Sequence, residues 1–207
     1  MPLDARSISD LGRIGFAEGL EAQRACWEAR RRGEIGDTLL LCEHPPVYTL
    51  GTNADPSDVL DAARAEVVRT DRGGQATWHG PGQVVGYAIC SLEERGRDLH
   101  RFCRDLEELL LRTLADFGLA GRRIAGLTGV WIGEEKVGAL GVRVRRWVTT
   151  HGFALNVDCD LCWFRGIVPC GQRGRGVTSM ARALGVPVPL PRVRERCAAH
   201  FEDLFVG

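Results

Sequence analysis

Three segments carry the residue types that could do chemistry. Of 27 lysine and arginine residues only Lys136 is a lysine, and it opens the run Lys136-Val-Gly-Ala-Leu-Gly141. Arginine holds its proton at any physiological pH, whereas a desolvated lysine can release it. Lys136 is therefore either a cation kept to shuttle a proton or the residue of a composition biased toward arginine. Cys170, in Ile167-Val-Pro-Cys-Gly171, is flanked by a proline and a glycine that fix the backbone and leave amides able to donate to an oxyanion. Such a thiol could act as a nucleophile. With an unperturbed pKa of about 8.5 it needs a base or a nearby cation, which Lys136 could supply. The alternative is a buried structural cysteine, the reading taken for Cys26, Cys42, Cys90, Cys103 and Cys197 on expected helices and strands.

The third segment is Asp71-Arg-Gly-Gly-Gln-Ala-Thr-Trp-His-Gly-Pro-Gly-Gln83. Its glycines allow the backbone to approach a ligand closely with N–H groups turned inward, as a tight acyl or phosphate site requires. The other reading is a glycine-rich turn around a core histidine. The segment lacks the Gly-Lys-Ser/Thr ending of a phosphate loop and the Gly-x-Gly-x-x-Gly spacing of a dinucleotide fold, so no nucleotide site is indicated. Cys159-Asp-Leu-Cys162 is the one C-x-x-C. It has no second pair, so zinc held by it with His151 and Cys170 is disfavoured and no metal is expected.

Elements must position these segments. Residues 16–32 read as a helix ending near Gly33, and 98–117 as the clearest core-facing helix. Phe102, Leu106, Leu109, Leu110, Thr113, Leu114 and Phe117 recur there at helical spacing, and Gly118 supplies a stop. Strands are expected at 38–42, 47–50, 66–70, 84–90 and 147–157, with a hairpin from 130–132 to 136–144 turning at 133–135. Residues 71–83 read as irregular. Pro191 opens a last amphipathic helix carrying Val193, Cys197, Phe201 and Leu204. The sum is one α+β domain over residues 1–207, with helices flanking a mixed, largely antiparallel sheet.

The 27 acidic and 27 basic residues cancel, so no overall field draws the chain to nucleic acid or to an anionic membrane. The amino terminus has no apolar signal region and eight cysteines fit a reducing compartment, so a cytoplasmic location is expected.

Together the three blocks closely resemble the octanoyltransferases of lipoate biosynthesis, the lipoyl(octanoyl) transferase or lipoate-protein ligase B family, over residues 37–180. The resemblance implies a fold like the catalytic domains of biotin and lipoate protein ligases, without their use of ATP and with no cofactor. It implies that Cys170 attacks the thioester of octanoyl-acyl carrier protein, and that a lysine of an apo lipoyl domain then takes the octanoyl group. Acceptors would be the glycine cleavage H protein and 2-oxoacid dehydrogenase E2 subunits, and the enzyme a monomer. Lys136 would lower the Cys170 pKa and relay protons. By motif, the substrate site comprises Arg72, Gly73, Gly74, Gln75, Ala76, Thr77, Trp78, His79, Ala139, Leu140, Gly141, Gly152, Phe153 and Ala154, with Leu140, Phe153 and Trp78 walling the acyl chain. Trp78 stands where the family usually has tyrosine. Arg143, Arg145 and Arg146 are candidates for docking the acidic carrier protein. Competing readings are an ATP-dependent lipoate or biotin ligase and a non-catalytic acyl-binding module.

Overall fold

In a computed structural model, which describes residues 7–168 and 175–206, the chain forms two sheets flanked by helices. Strands β1 (Ile8–Arg13), β2 (Thr38–Glu43), β3 (Val47–Leu50), β4 (Glu66–Arg69), β5 (Ala76–His79), β6 (Gln83–Ile89), β7 (Arg122–Ile124), β8 (Leu127–Ile132), β9 (Glu135–Arg145) and β10 (Val148–Asn156) are joined by α1 (Phe16–Arg31), α2 (Leu99–Asp116), α3 (Met180–Leu184) and α4 (Leu190–Phe201). The large sheet has the order β1-β2-β6-β10-β9-β8-β7, and its neighbours are antiparallel except β1 and β2. The small sheet, β4-β3-β5, pairs β3 parallel to β4 and antiparallel to β5. This is the expected α+β class. Among the described residues no helix is long and apolar enough to cross a membrane.

Alternation decides which side each residue serves. On β2, Leu39 and Leu41 join the core under α2 and α4, whereas Leu40 and Cys42 join the cluster under α1. The Leu106, Leu109, Leu110 and Leu114 side chains of α2 are wholly buried, each stabilising by roughly 1.5–3 kcal/mol. Asp98 caps this helix by accepting from the Arg101 N–H at 2.9 Å. Tyr48, Leu50, Ala76, Trp78, Phe164 and Ile167 build a third cluster behind the small sheet.

Four of these elements lie outside the expected set: β1, β5, the short strand β7 and the short helix α3. β5 lies inside the segment read as irregular: Leu50, Thr49, Tyr48 and Val47 pair with Ala76, Thr77, Trp78 and His79, and these long-range bonds override the glycine-rich surroundings. β1 was not anticipated, because Ile-Ser-Asp-Leu-Gly-Arg lacks clean alternation and serves only as a partly exposed edge.

Candidate active site

Strands β6, β9 and β10 form the floor of a narrow cleft from two cross-strand rows of mostly small residues. Ala139 faces Ala154, which faces Val85; Gly141 faces Gly152, which faces Tyr87. Phe16 of α1, together with Arg72, Gly74, Thr77 and His79, lines the other side. Small side chains are needed here because the opposing loop comes close. A Cβ on Gly141 would lie 3.0 Å from Arg72 Cδ and 3.0 Å from the Gly73 carbonyl oxygen. The Gly73 N–H donates to the Val142 carbonyl at 3.0 Å, docking the loop onto β9.

Alternation also sorts the motif residues of β5. Thr77 and His79 line the cleft, while Ala76 and Trp78 point into the cluster behind the small sheet. Trp78 is fully buried there, with its ring 5.9 Å from Trp163 and 5.4 Å from Phe164. It therefore does not wall the cleft, contrary to expectation. Leu140 and Phe153 border the cleft, yet both side chains pack with the α2 and α4 core. Their contribution to the cleft is main chain, and the apolar walls come from Phe16, Val85, Tyr87, Ala139 and Ala154. The sequence reading missed Phe16, Val85, Tyr87 and His151, which come from α1, β6 and β10. Their only signal is their place on elements that later converge.

A hydrogen-bond chain crosses the site. Arg72 Nη2 donates to the Thr49 carbonyl (2.8 Å) and to Thr49 Oγ1 (2.9 Å); His79 Nε2 lies 3.4 Å from Thr49 Oγ1, and its Nδ1 donates to Gln83 Oε1 (2.8 Å). Gln83 Nε2 donates to Asn156 Oδ1 (2.9 Å), and Asn156 Nδ2 to the Thr178 carbonyl (3.0 Å). The Thr178 N–H then donates to the Lys136 carbonyl at 2.9 Å. One polar chain thus ties the arginine of the glycine-rich segment to the strand that carries the single lysine. Gln75 links in at the other edge, its carbonyl accepting from the Gly51 N–H at 3.3 Å.

The histidines around this chain are neutral. Burial pushes His79 down to about 3, and the nearby Arg72 guanidinium adds to it. Burial likewise lowers His151 to about 4, helped by Arg72 and Arg143. His44 is also depressed by burial; its Nδ1 donates to the Ile14 carbonyl (2.8 Å), and Nε2 accepts from the Tyr87 hydroxyl (2.6 Å). An acyl chain in the cleft would meet no imidazolium.

Lys136 sits at the start of β9, partly buried, with Nζ 4.9 Å from the centre of the Trp131 ring. Its N–H donates to the Gly176 carbonyl at 3.0 Å, and it bridges Val177. On the adjacent strand a Cβ at Gly129 would lie 2.6 Å from the Gly138 carbonyl oxygen and 3.3 Å from Lys136 Cε, so only glycine, here at φ +112°, lets β8 run this close. The Gly129 N–H donates at 2.9 Å to Glu107, whose buried carboxylate also pairs with Arg104 and Arg123. Cys170 lies outside the described residues, as do the flanking Pro169 and Gly171. The described chain stops at Val168, whose N–H donates to the Asp58 carbonyl (2.7 Å), and resumes at Arg175, adjacent to the Lys136 partners. Of the other cysteines read as structural, Cys26, Cys103 and Cys197 lie on helices, Cys42 lies on β2, and Cys90 follows the end of β6. Cys26, Cys42, Cys90 and Cys197 are buried, and burial pushes Cys42 and Cys197 up to about 12. Cys103 is only half-buried.

The family described as lipoyl protein ligase A/B catalytic domain matches residues 16–202. Over 210 residues the chain is 49% identical to an octanoyltransferase of Rubrobacter xylanophilus, an alignment spanning 98% of this chain and 93% of that one. Among solved structures, a putative lipoate protein ligase of T. acidophilum superposes with a TM-score of 0.73 at 16% identity, covering 95% of this chain and 83% of the other. A biotin protein ligase of Aquifex aeolicus gives 0.55 at 11% identity, covering 97% and 69%. At such low identities these two structures speak to fold, which they share with this chain.

Proposed function

The chain belongs to the lipoyl protein ligase A/B catalytic-domain family, and on that premise we propose that it is an octanoyltransferase of protein lipoylation that works through Cys170 and Lys136. Cys170 Sγ, as thiolate, attacks the carbonyl carbon of octanoyl-acyl carrier protein. The carbon–sulfur bond to the carrier breaks, and the carrier thiolate leaves. Lys136 takes the Cys170 proton and returns one to the departing thiolate. The ε-amine of a lysine on an apo lipoyl domain then attacks the octanoyl-Cys170 thioester. An amide forms, the amine proton passes to Lys136, and the thiol is regenerated. Exchanging one thioester for another is nearly balanced and aminolysis runs downhill, so no nucleotide is needed to activate the acyl group.

The observation that carries this reading is the junction at Lys136. Its strand borders the small-residue cleft three residues on, at Ala139, and its backbone holds Gly176 and Thr178, six and eight residues beyond Cys170 in the chain. A chain that binds acyl groups without transferring them has no use for a proton-relaying lysine beside the segment that returns from the cysteine block. Mass measurement of the intact protein after mixing with octanoyl-acyl carrier protein, without nucleotide, tests it. The expected result is one octanoyl adduct that Cys170→Ala abolishes; parent protein that transfers octanoyl groups without ever carrying one would remove the intermediate.

The donor is octanoyl-acyl carrier protein and the acceptors are apo lipoyl domains such as the H protein and E2 subunits. The arginines suggested for docking differ in their surroundings. Arg143 pairs with Asp71, Arg145 lies 5.3 Å from the Trp27 ring, and Arg145 at the end of β9 and Arg146 in the turn that follows are exposed. Docking therefore falls to Arg145 and Arg146, and replacing both should flatten the salt dependence of carrier-protein affinity.

A further inference from the structure

Beyond the far end of the acyl cleft lies a second cavity of about 570 Å³, lined by Leu20, Gln23 and Trp27 of α1 and by Arg69, Arg143 and Arg145 among others. The inner cleft holds about 50 Å³ with its walls as they stand. The two linings share one residue, His151.

The position of His151 is unusual for its strand. It pairs with Val142, and Val142 packs toward the α2 and α4 core, so regular alternation would send the imidazole there as well. Instead His151 has φ +59°, a left-handed backbone that breaks the alternation and brings the ring to the cleft side. Three contacts hold it. The His151 N–H donates to Gln23 Oε1 (2.8 Å), Nε2 donates to Asp71 Oδ1 (2.8 Å), and the ring stands edge-on to Tyr87 at 6.4 Å. Asp71 is itself fixed by Arg143. The ring is 5% exposed and neutral, a stiff end wall with the second cavity, bordered by arginines as well as by Leu20 and Trp27, behind it.

The distance is informative. From the Ala139 row to the Val142–His151 row is three residues of β9, about 10 Å at the usual strand rise. An extended eight-carbon chain is on the order of 9 Å long, from C–C bonds of about 1.5 Å. We infer that His151 is the specificity-determining residue for acyl length: its imidazole, tethered by Asp71, closes the cleft after eight carbons and keeps longer chains out of the arginine-lined cavity. This rests on the acyl-transfer reading above. A longer chain would have to displace a hydrogen-bonded ring before reaching the cavity behind it.

The test compares octanoyl-, decanoyl- and dodecanoyl-acyl carrier protein as donors for the parent, His151→Gly and His151→Asn. Glycine suits the left-handed backbone and removes the wall; asparagine tolerates the same conformation with a shorter side chain. Each methylene accepted or refused in an apolar pocket is worth about 10–200-fold in kcat/KM. The dodecanoyl-to-octanoyl ratio of kcat/KM should therefore rise at least tenfold in His151→Gly and by less in His151→Asn. A ratio of rates on one protein is insensitive to how much of it is folded, and His151→Asn decides the matter if His151→Gly does not fold. Variants that transfer octanoyl groups with the parent ratio overturn the inference. A parent that transfers no acyl group from any donor overturns the acyltransferase reading instead.

Discussion

β9 has two faces with one backbone geometry and opposite uses. Gly138, Leu140, Val142 and Val144 meet α2 and α4, and a Cβ at Gly138 would already touch Leu110 at 3.0 Å. Ala139, Gly141, Arg143 and Arg145 border the two cavities on the other face. The packed face is filled by leucines that lock the strand in place. The open face is kept short of side-chain volume, and a buried polar chain holds its loop. The lesson is that the site is a deliberate deficit of volume, tolerated because the reverse side of the same strands supplies the packing.

Four experiments would break or sharpen that contrast. The largest effect is expected at the start of β9. Lys136→Arg keeps the positive charge but cannot relay a proton, so octanoyl transfer should drop by about 10²–10⁴-fold with the melting temperature little changed. Transfer at the parent rate would leave Lys136 an electrostatic partner only. On the packed face Leu110→Ala should do the reverse, costing about 2–5 kcal/mol in urea unfolding while the KM for octanoyl-acyl carrier protein stays near the parent value. A raised KM with little loss of stability would show that the two faces are not separable.

Gly141→Ala adds one methyl to the open face, against Arg72 and Gly73. We expect kcat/KM to fall by about tenfold, the low end of what one methylene is worth in an apolar pocket, measured with the octanoyl donor. Unchanged kinetics would mean that the loop yields and the cleft is not volume-limited. The smallest effect is in pH. Above about pH 6.5 His79 and His151 are neutral in both folded and unfolded chains and contribute no pH dependence. As pH falls below that, the unfolded chain takes up protons that His79 and His151 refuse until about 3 and about 4. Stability should decline by up to about 1.4 kcal/mol per pH unit for each histidine in that window. His79→Gln should show a shallower decline between pH 6.5 and 5 in urea titrations, and an unchanged slope would show that His79 is not held neutral by burial.

The contrast between faces was partly legible in sequence. The α2 leucines announce themselves by their spacing, because a helix that buries one stripe must repeat apolar residues at three and four. The strands 38–43, 47–50, 83–89 and 148–156 were visible as short apolar runs, since strands buried on both sides need little else. β5 was hidden because its pairing with β3 is set by residues almost thirty positions away, not by its own glycine-rich surroundings. Trp78 was placed in the acyl wall because its neighbours belong to the motif, and the alternation of β5 sends it the other way. His151 carries no sequence sign of a left-handed backbone.

Sequence alone determined the chemistry on offer: one lysine among arginines, a cysteine held between proline and glycine, and a glycine-rich segment that lets a ligand approach. Side-chain type and local spacing suffice for that, because proton affinity and backbone freedom are properties of the residue itself. Only the tertiary structure decided which side chains face the cleft, that a single polar chain joins Arg72 to the Lys136 strand, and that His151 stands between two cavities. Those are distances between remote segments, fixed by strand register and by one positive φ.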